Sequence, residues 1–222
     1  MAIGSLHQFS NREELAEQLA SNVLTQLSNA IAENGRGRLA VSGGSTPALL
    51  FETLAKKAFD WHLVDLYLID ERNVPPTHER SNEKSVREML LQDQAAAANF
   101  VPLRAQTARS TDWPEQFYVA LLGLGTDGHT ASWFPGADNL EAATSSGCEE
   151  PVMFMTAPDV PEERLTFTFP TISRSNFIAL HIEGDKKMLT LNTAKENGPA
   201  NDMPIRHLLR ATSVSMQVYW AS

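Results

Sequence analysis

The chain has one cysteine, no excess of basic charge and no apolar run of membrane length, and each shortage removes a class of function. The single thiol, Cys148, excludes an internal disulfide framework and a cysteine-rich zinc site. Its Ser-Ser-Gly-Cys-Glu-Glu setting offers no basic neighbour to draw out a catalytic thiolate. Lys and Arg number 18 against 27 Asp and Glu, a formal net charge of -9, which is the wrong sign for a nucleic-acid footprint or an anionic membrane surface. No segment approaches the ~20 apolar residues of a membrane span, and the N-terminus lacks a basic region followed by an apolar one. A cytoplasmic protein is the expectation. The six histidines show no metal-ligand spacing such as His-Glu-x-x-His, so no metal is expected.

What is present reads as an ordinary globular domain. Hydrophobic residues make up 42% of 222 positions, enough for a substantial core, and no composition shift or internal repeat divides residues 1–222. Ser10-Asn-Arg-Glu13 has the form of a capping box. It opens an amphipathic helix with Leu15, Leu19, Val23, Leu27 and Ile31 on one face and Gly35 as its stop. Strands are expected at 38–42, 64–69, 118–124, 152–156, 164–169, 177–182 and 213–219, and helices at 48–57, from Ser81-Asn82 onward and at 186–194. Residues 100–114 read as irregular linker. Strands alternating with helices predict an α/β fold, a doubly wound, mainly parallel sheet with helices on both faces. The Thr166-Phe-Thr-Phe169 alternation adds some antiparallel character.

The most informative segment is Leu121-Leu-Gly-Leu-Gly-Thr-Asp-Gly-His-Thr-Ala-Ser-Trp-Phe-Pro-Gly136. An apolar strand runs into a glycine turn, with Asp127 and His129 just beyond, where an open α/β sheet places its chemistry. Gly123-x-Gly125-x-x-Gly128 matches the dinucleotide fingerprint by letter. The helix it would open meets Pro135-Gly136 too soon, and Glu149-Glu150 precede a strand instead of ending one. A nicotinamide or flavin cofactor is therefore not expected. Anion binding by the turn's amides and helix start, Gly128 included, remains the expectation. His129 is the candidate general base and Asp127 the group that orients its ring or binds a hydroxyl.

A second strand-to-helix turn, Ser42-Gly-Gly-Ser-Thr-Pro47, lets amides at Gly43 and Gly44 converge with the Ser45 and Thr46 hydroxyls. No lysine follows its glycines, so it is not a P-loop. Asp70-Glu-Arg72 stands at another strand end, where a guanidinium can grip a phosphate and a carboxylate can hold hydroxyls. Asn82 at a helix start, Arg164 and Lys187 are further candidates for ligand binding. Lys186 beside Lys187 leaves the choice between them open on periodicity, and each of these charges taken singly is as readily a solvated surface group.

These segments together, in order and over nearly the whole chain, resemble the 6-phosphogluconolactonase family. The resemblance rests on Ser42–Pro47, Asp70-Glu-Arg72 with Val74-Pro75 and Ser81-Asn82, Gly123–His129 with Phe134-Pro-Gly136, Arg164-Leu-Thr166 and Gly184-Asp-Lys-Lys187. It implies the fold of sugar-phosphate isomerases and deaminases. It also implies hydrolysis of 6-phospho-D-glucono-1,5-lactone to 6-phospho-D-gluconate, in the oxidative pentose phosphate pathway, without metal or cofactor. By position it places Lys187, not Lys186, on the family lysine. The small-molecule sugar-phosphate lactone is then the one partner expected; monomer and homodimer both stay open. A glucosamine-6-phosphate deaminase-type isomerase looks similar at the glycine turns, but that family carries a tyrosine where Arg72 stands and Asn-Glu where this chain has Trp133-Phe134. A non-catalytic sugar-phosphate-binding protein is the third alternative.

Overall fold

Four apolar runs, Gly37–Val41, Val64–Leu68, Val119–Leu122 and Phe177–Glu183, are too short for helices and too apolar to leave a face in water. In the computed structural model, which describes residues 3–222 apart from 111, 159 and 213, they form the centre of a sheet. The strands are β1 (Ile3–Phe9), β2 (Gly37–Val41), β3 (Val64–Leu68), β4 (Asp70–Arg72), β5 (Asn99–Val101), β6 (Val119–Leu122), β7 (Val152–Ala157), β8 (Val160–Phe167), β9 (Phe177–Glu183) and β10 (Met216–Ala221). The helices are α1 (Arg12–Asn34), α2 (Ala48–Lys56), α3 (Asn82–Met89), α4 (Leu140–Thr144), α5 (Phe169–Ser173), α6 (Asp185–Lys195) and α7 (Arg206–Arg210), with short 3-10 turns between.

The main sheet runs β1-β10-β9-β6-β2-β3-β5, and every described pairing in it is parallel. The chain leaves β2 toward β3 on one side, while β6 leads to β9 on the other. The crevice between the carboxyl ends of β2 and β6 is therefore the switch point at which such sheets bind ligands. A small antiparallel sheet, β4-β8-β7, folds over that end. It is the antiparallel element that the threonine alternation predicts.

Several expectations shift. The capping box sits one residue later: Asn11 is the N-cap and accepts from the Glu14 amide at 2.8 Å, while Glu14 accepts from the Ser10 amide at 3.1 Å. Leu15, Leu19, Val23 and Leu27 are buried beneath α1 as its spacing predicts, and Ile31 is half-buried. Truncating Leu19 to alanine would cost about 2–5 kcal/mol. The stretch read as linker from residue 100 begins inside β5, an edge strand paired to β3. The last strand is β10; the predicted start at Ser213 lies outside the described residues. No helix follows Gly128, because residues 126–137 form successive turns pinned by a Thr130–Trp133 bridge. Among the described residues, no helix is long and apolar enough to cross a membrane.

Candidate active site

The turns leaving β2 and β6 open into a cavity of about 310 Å³ at the switch point. Gly43, Gly44, Ser45, Thr46, Asp70, Arg72, Asn82, His129, Arg164 and Lys187 all line it. Gly128 and Asp127 do not line it. The amide of Gly128 donates to the Gly125 carbonyl at 3.0 Å, that of Gly125 to the His129 carbonyl at 2.8 Å, and that of His129 to Asp127 at 3.1 Å. These amides close the turn on itself, so the expected anion-binding helix start at Gly128 is absent.

What the second turn builds is a side-chain dyad. His129 Nδ1 lies 2.6 Å from Asp127 Oδ1. An ionised carboxylate only accepts, so Nδ1 carries the proton, and in the neutral ring Nε2 holds the lone pair. Burial works to raise the Asp127 carboxyl, but the hydrogen bond from the His129 ring and its charge outweigh that and hold it below the ordinary value. The Phe134 ring packs on the imidazole at 4.3 Å between centroids, and the Arg164 guanidinium stands over the same Phe134 ring, 5.6 Å from its centroid. Gly125 is where it is because the imidazole needs its space: a Cβ there would strike the His129 ring and the Asp127 carboxylate.

The first turn builds an amide cradle. Among the described residues, no backbone amide from Gly43 to Thr46 donates a hydrogen bond to the protein, and α2 begins directly after them. Its N-terminal dipole adds positive potential. Lys187, from the first turn of α6, donates to Thr46 Oγ1 at 3.0 Å. Burial pushes its ammonium below the ordinary lysine value, against the pull of Glu183.

On the other side, Arg72 Nη1 donates to Asn82 Oδ1 at 2.6 Å and to the Arg80 carbonyl at 2.8 Å. Asn82 is fixed in turn by the Asp70 carbonyl at 2.8 Å and by close packing on Gly43, whose Cβ would overlap its amide. Arg72 and Arg164 face each other directly across β4 and β8, an unfavourable pairing for like charges. Burial and the Arg72 charge both push the Arg164 guanidinium down. The Nε atoms of both arginines are buried without a partner among the described residues, and Glu162 approaches Arg164 only to 3.9 Å. Asp70 does not pair with them by hydrogen bond; it accepts from Ser132 Oγ at 2.6 Å. Two crowded, incompletely satisfied guanidiniums on a cavity wall have the chemistry to bind an anion.

Sequence reasoning passed over two groups here. Glu71, read as an alternative hydroxyl ligand, is buried beneath α3 and accepts from the amides of Arg72, Asn82 and Glu83 and from Ser81 Oγ, all within 3.0 Å. Burial raises its carboxyl in spite of those bonds. It anchors the helix start that carries Asn82. His181 also lines the cavity, although its apolar strand context in the sequence gives no sign of it.

Residues 10–220 match the family described as glucosamine-6-phosphate isomerases/6-phosphogluconolactonase. The chain belongs to that family. A 6-phosphogluconolactonase of Rhizobium meliloti is 43% identical over 98% of both chains, and one of Mesorhizobium japonicum is 40% identical over 96% of this chain and 93% of its own. Among solved structures, a 6-phosphogluconolactonase from Shewanella baltica superposes with a TM-score of 0.92 at 34% identity, covering 98% of this chain and 97% of that one. The α/β architecture, with its small antiparallel sheet, is thus the one these family members share.

Proposed function

We propose that this protein hydrolyses 6-phospho-D-glucono-1,5-lactone to 6-phospho-D-gluconate in the cytoplasm, its 222 residues acting as one domain. The reading is carried by one juxtaposition: a histidine with its Nδ1 proton committed to Asp127 shares a cavity with the cations and free amides that suit a phosphate. The named activity of the relatives supports the substrate.

In the proposed mechanism Arg72, Lys187, Thr46 and the Gly43–Ser45 amides hold the phosphate, and Arg164 adds charge behind it. That remote binding energy sets the lactone carbonyl carbon near His129. Nε2 takes a proton from water as its oxygen attacks the carbonyl carbon, forming a tetrahedral oxyanion. The imidazolium, stabilised by Asp127, then returns the proton to the ring oxygen as the C–O bond breaks, releasing the open-chain acid. Asp70 is placed to receive a sugar hydroxyl. With the amides of Gly125 and Gly128 bonded within their turn, oxyanion stabilisation falls to the cationic wall.

The test uses freshly generated lactone, with spontaneous hydrolysis subtracted, and glucosamine 6-phosphate in parallel. Lactonase excess rate is the expected result; deamination of the amino sugar without lactonase activity would overturn the proposal.

A further inference from the structure

His181 is a buried histidine with no finished hydrogen bond. It is 4% exposed, and neither ring nitrogen has a partner of acceptable geometry among the described residues. Glu183 Oε1 stands 3.2 Å from Nε2, and that carboxylate also holds Arg12 at 3.2 Å. A histidine kept only for packing would have its N–H satisfied, because an unmade hydrogen bond in the interior is costly.

Its position in the sheet explains where a partner would come from. On β9, His181 lies one residue beyond the Leu122–Leu180 pair, so it stands level with Gly123 and points to the same face as Ala179, the partner of Leu121. On the opposite flank its neighbour is Tyr219. A Cβ at Gly123 would meet nothing within 4 Å: the space beside the imidazole is open and belongs to the cavity that His181 lines. Both ring nitrogens are closed to solvent. The contact therefore requires the ring to turn about Cβ–Cγ, a soft torsion for an imidazole, so that a nitrogen replaces a carbon at the cavity wall.

We infer that His181 is a further ligand-binding residue of this cavity, donating a ring N–H to an oxygen of the phosphate group held between Lys187, Thr46 and the Gly43–Gly44 turn. The inference rests on the reading of that cradle as a phosphate site. It adds a donor from the sheet floor to the donors from α2 and α6. Glu183 lies 3.2 Å from the imidazole, and its charge favours the Lys187 ammonium.

The test compares wild type, His181→Leu and His181→Asn by calorimetric titration with inorganic phosphate and with 6-phosphogluconate, and by steady-state kinetics on the lactone. Loss of one hydrogen bond to a charged group predicts affinity about tenfold weaker for both ligands in His181→Leu. KM should rise in step, kcat stay within about twofold, and His181→Asn recover most of the loss. Unchanged affinity in a folded His181→Leu overturns the inference, as does a fall in kcat with KM unaltered. Should the leucine variant not fold, the ring 15N resonances of His181 in wild type decide: they shift when phosphate is added, or the inference fails. A wild-type protein that binds phosphate but does not hydrolyse the lactone would remove the proposed reaction while leaving these binding measurements to judge His181.

Discussion

The two glycine turns leave adjacent parallel strands and face the same cavity, yet they are built for different work. In the first, a glycine gives way to Asn82, a helix follows, and the amides of residues 43–46 are left without partners among the described residues. In the second, a glycine gives way to the His129 ring, no helix follows, and the amides of Gly125, Gly128 and His129 are consumed inside the turn. The first turn offers backbone and borrows its charges from elsewhere, Arg72 on one side and Lys187 on the other. The second offers only side chains and carries them itself. Glycine spacing is nearly the same signal in both. In the proposed mechanism, what separates anion cradle from proton-transfer site is whether a helix start follows to leave the amides free.

The comparison breaks most directly at the second turn. His129→Ala should lower the enzyme-dependent rate by about 10²–10⁴-fold while leaving KM close to wild type, the signature of a lost general base. Gly125→Ala tests whether the turn does more than connect. Its methyl group would collide with the imidazole and with Asp127, and displacing a base by about an ångström costs on the order of 10²-fold. Both are read as excess rate on fresh lactone, with circular dichroism to show that the fold persists. A Gly125→Ala enzyme of normal kcat would mean that the dyad is not held as described.

At the first turn the same kind of substitution should have the other kinetic effect. Gly43→Ala drives Asn82 out of place, and Arg72 then loses its 2.6 Å acceptor. We expect KM to rise by about ten- to a hundredfold with a much smaller change in kcat, and Arg72→Ala to move in the same direction. If Gly43→Ala lowers kcat and spares KM, the division of labour between the turns is wrong. Glu71→Gln sharpens the point from beneath. The buried carboxylate serves three amides and a hydroxyl, and replacing one oxygen by NH2 turns a donor toward donors. A loss of about 1–3 kcal/mol in urea denaturation is expected, with KM rising because Asn82 and Arg72 lose their anchor.

The central strands, α1, α2, α3 and the antiparallel character near Thr166 were legible because hydrophobic period and helix caps are local signals. β1 was not: Ile-Gly-Ser-Leu-His-Gln-Phe has little strand propensity of its own, and Ser5 to Phe9 become a strand by pairing with β10, more than two hundred residues away in sequence. β5 was hidden for the same reason, being an edge strand of three residues. The side chains of the cavity were individually legible at strand ends, but their division was not. Nothing local says that Gly128 turns inward toward Met203 or that Asn82 serves Arg72 before any ligand. His181 failed for a different reason. An imidazole inside an apolar strand reads as core packing, and only the absence of partners in three dimensions makes it conspicuous.

The smallest expected effect separates the two cations of the first turn. Burial holds the Lys187 ammonium below its ordinary value of 10.5, with Glu183 opposing. It therefore loses its proton at lower pH than a solvated lysine does, and a neutral amine no longer attracts the phosphate. The sign follows directly: affinity for 6-phosphogluconate is full while Lys187 is protonated and falls as pH rises toward the lysine range, beginning earlier than an exposed lysine would allow. A guanidinium in the same site does not titrate over such a range, so the loss should be limited to about a few-fold while the protein stays folded. Lys187→Arg should flatten the profile, because a guanidinium does not titrate there, at the cost of weaker binding overall from its different reach. Titration with 6-phosphogluconate avoids alkaline hydrolysis of the lactone. An affinity that stays level in wild type, or falls identically in Lys187→Arg, would show that this ammonium does not touch the anion and that the first turn draws its charge from Arg72 alone.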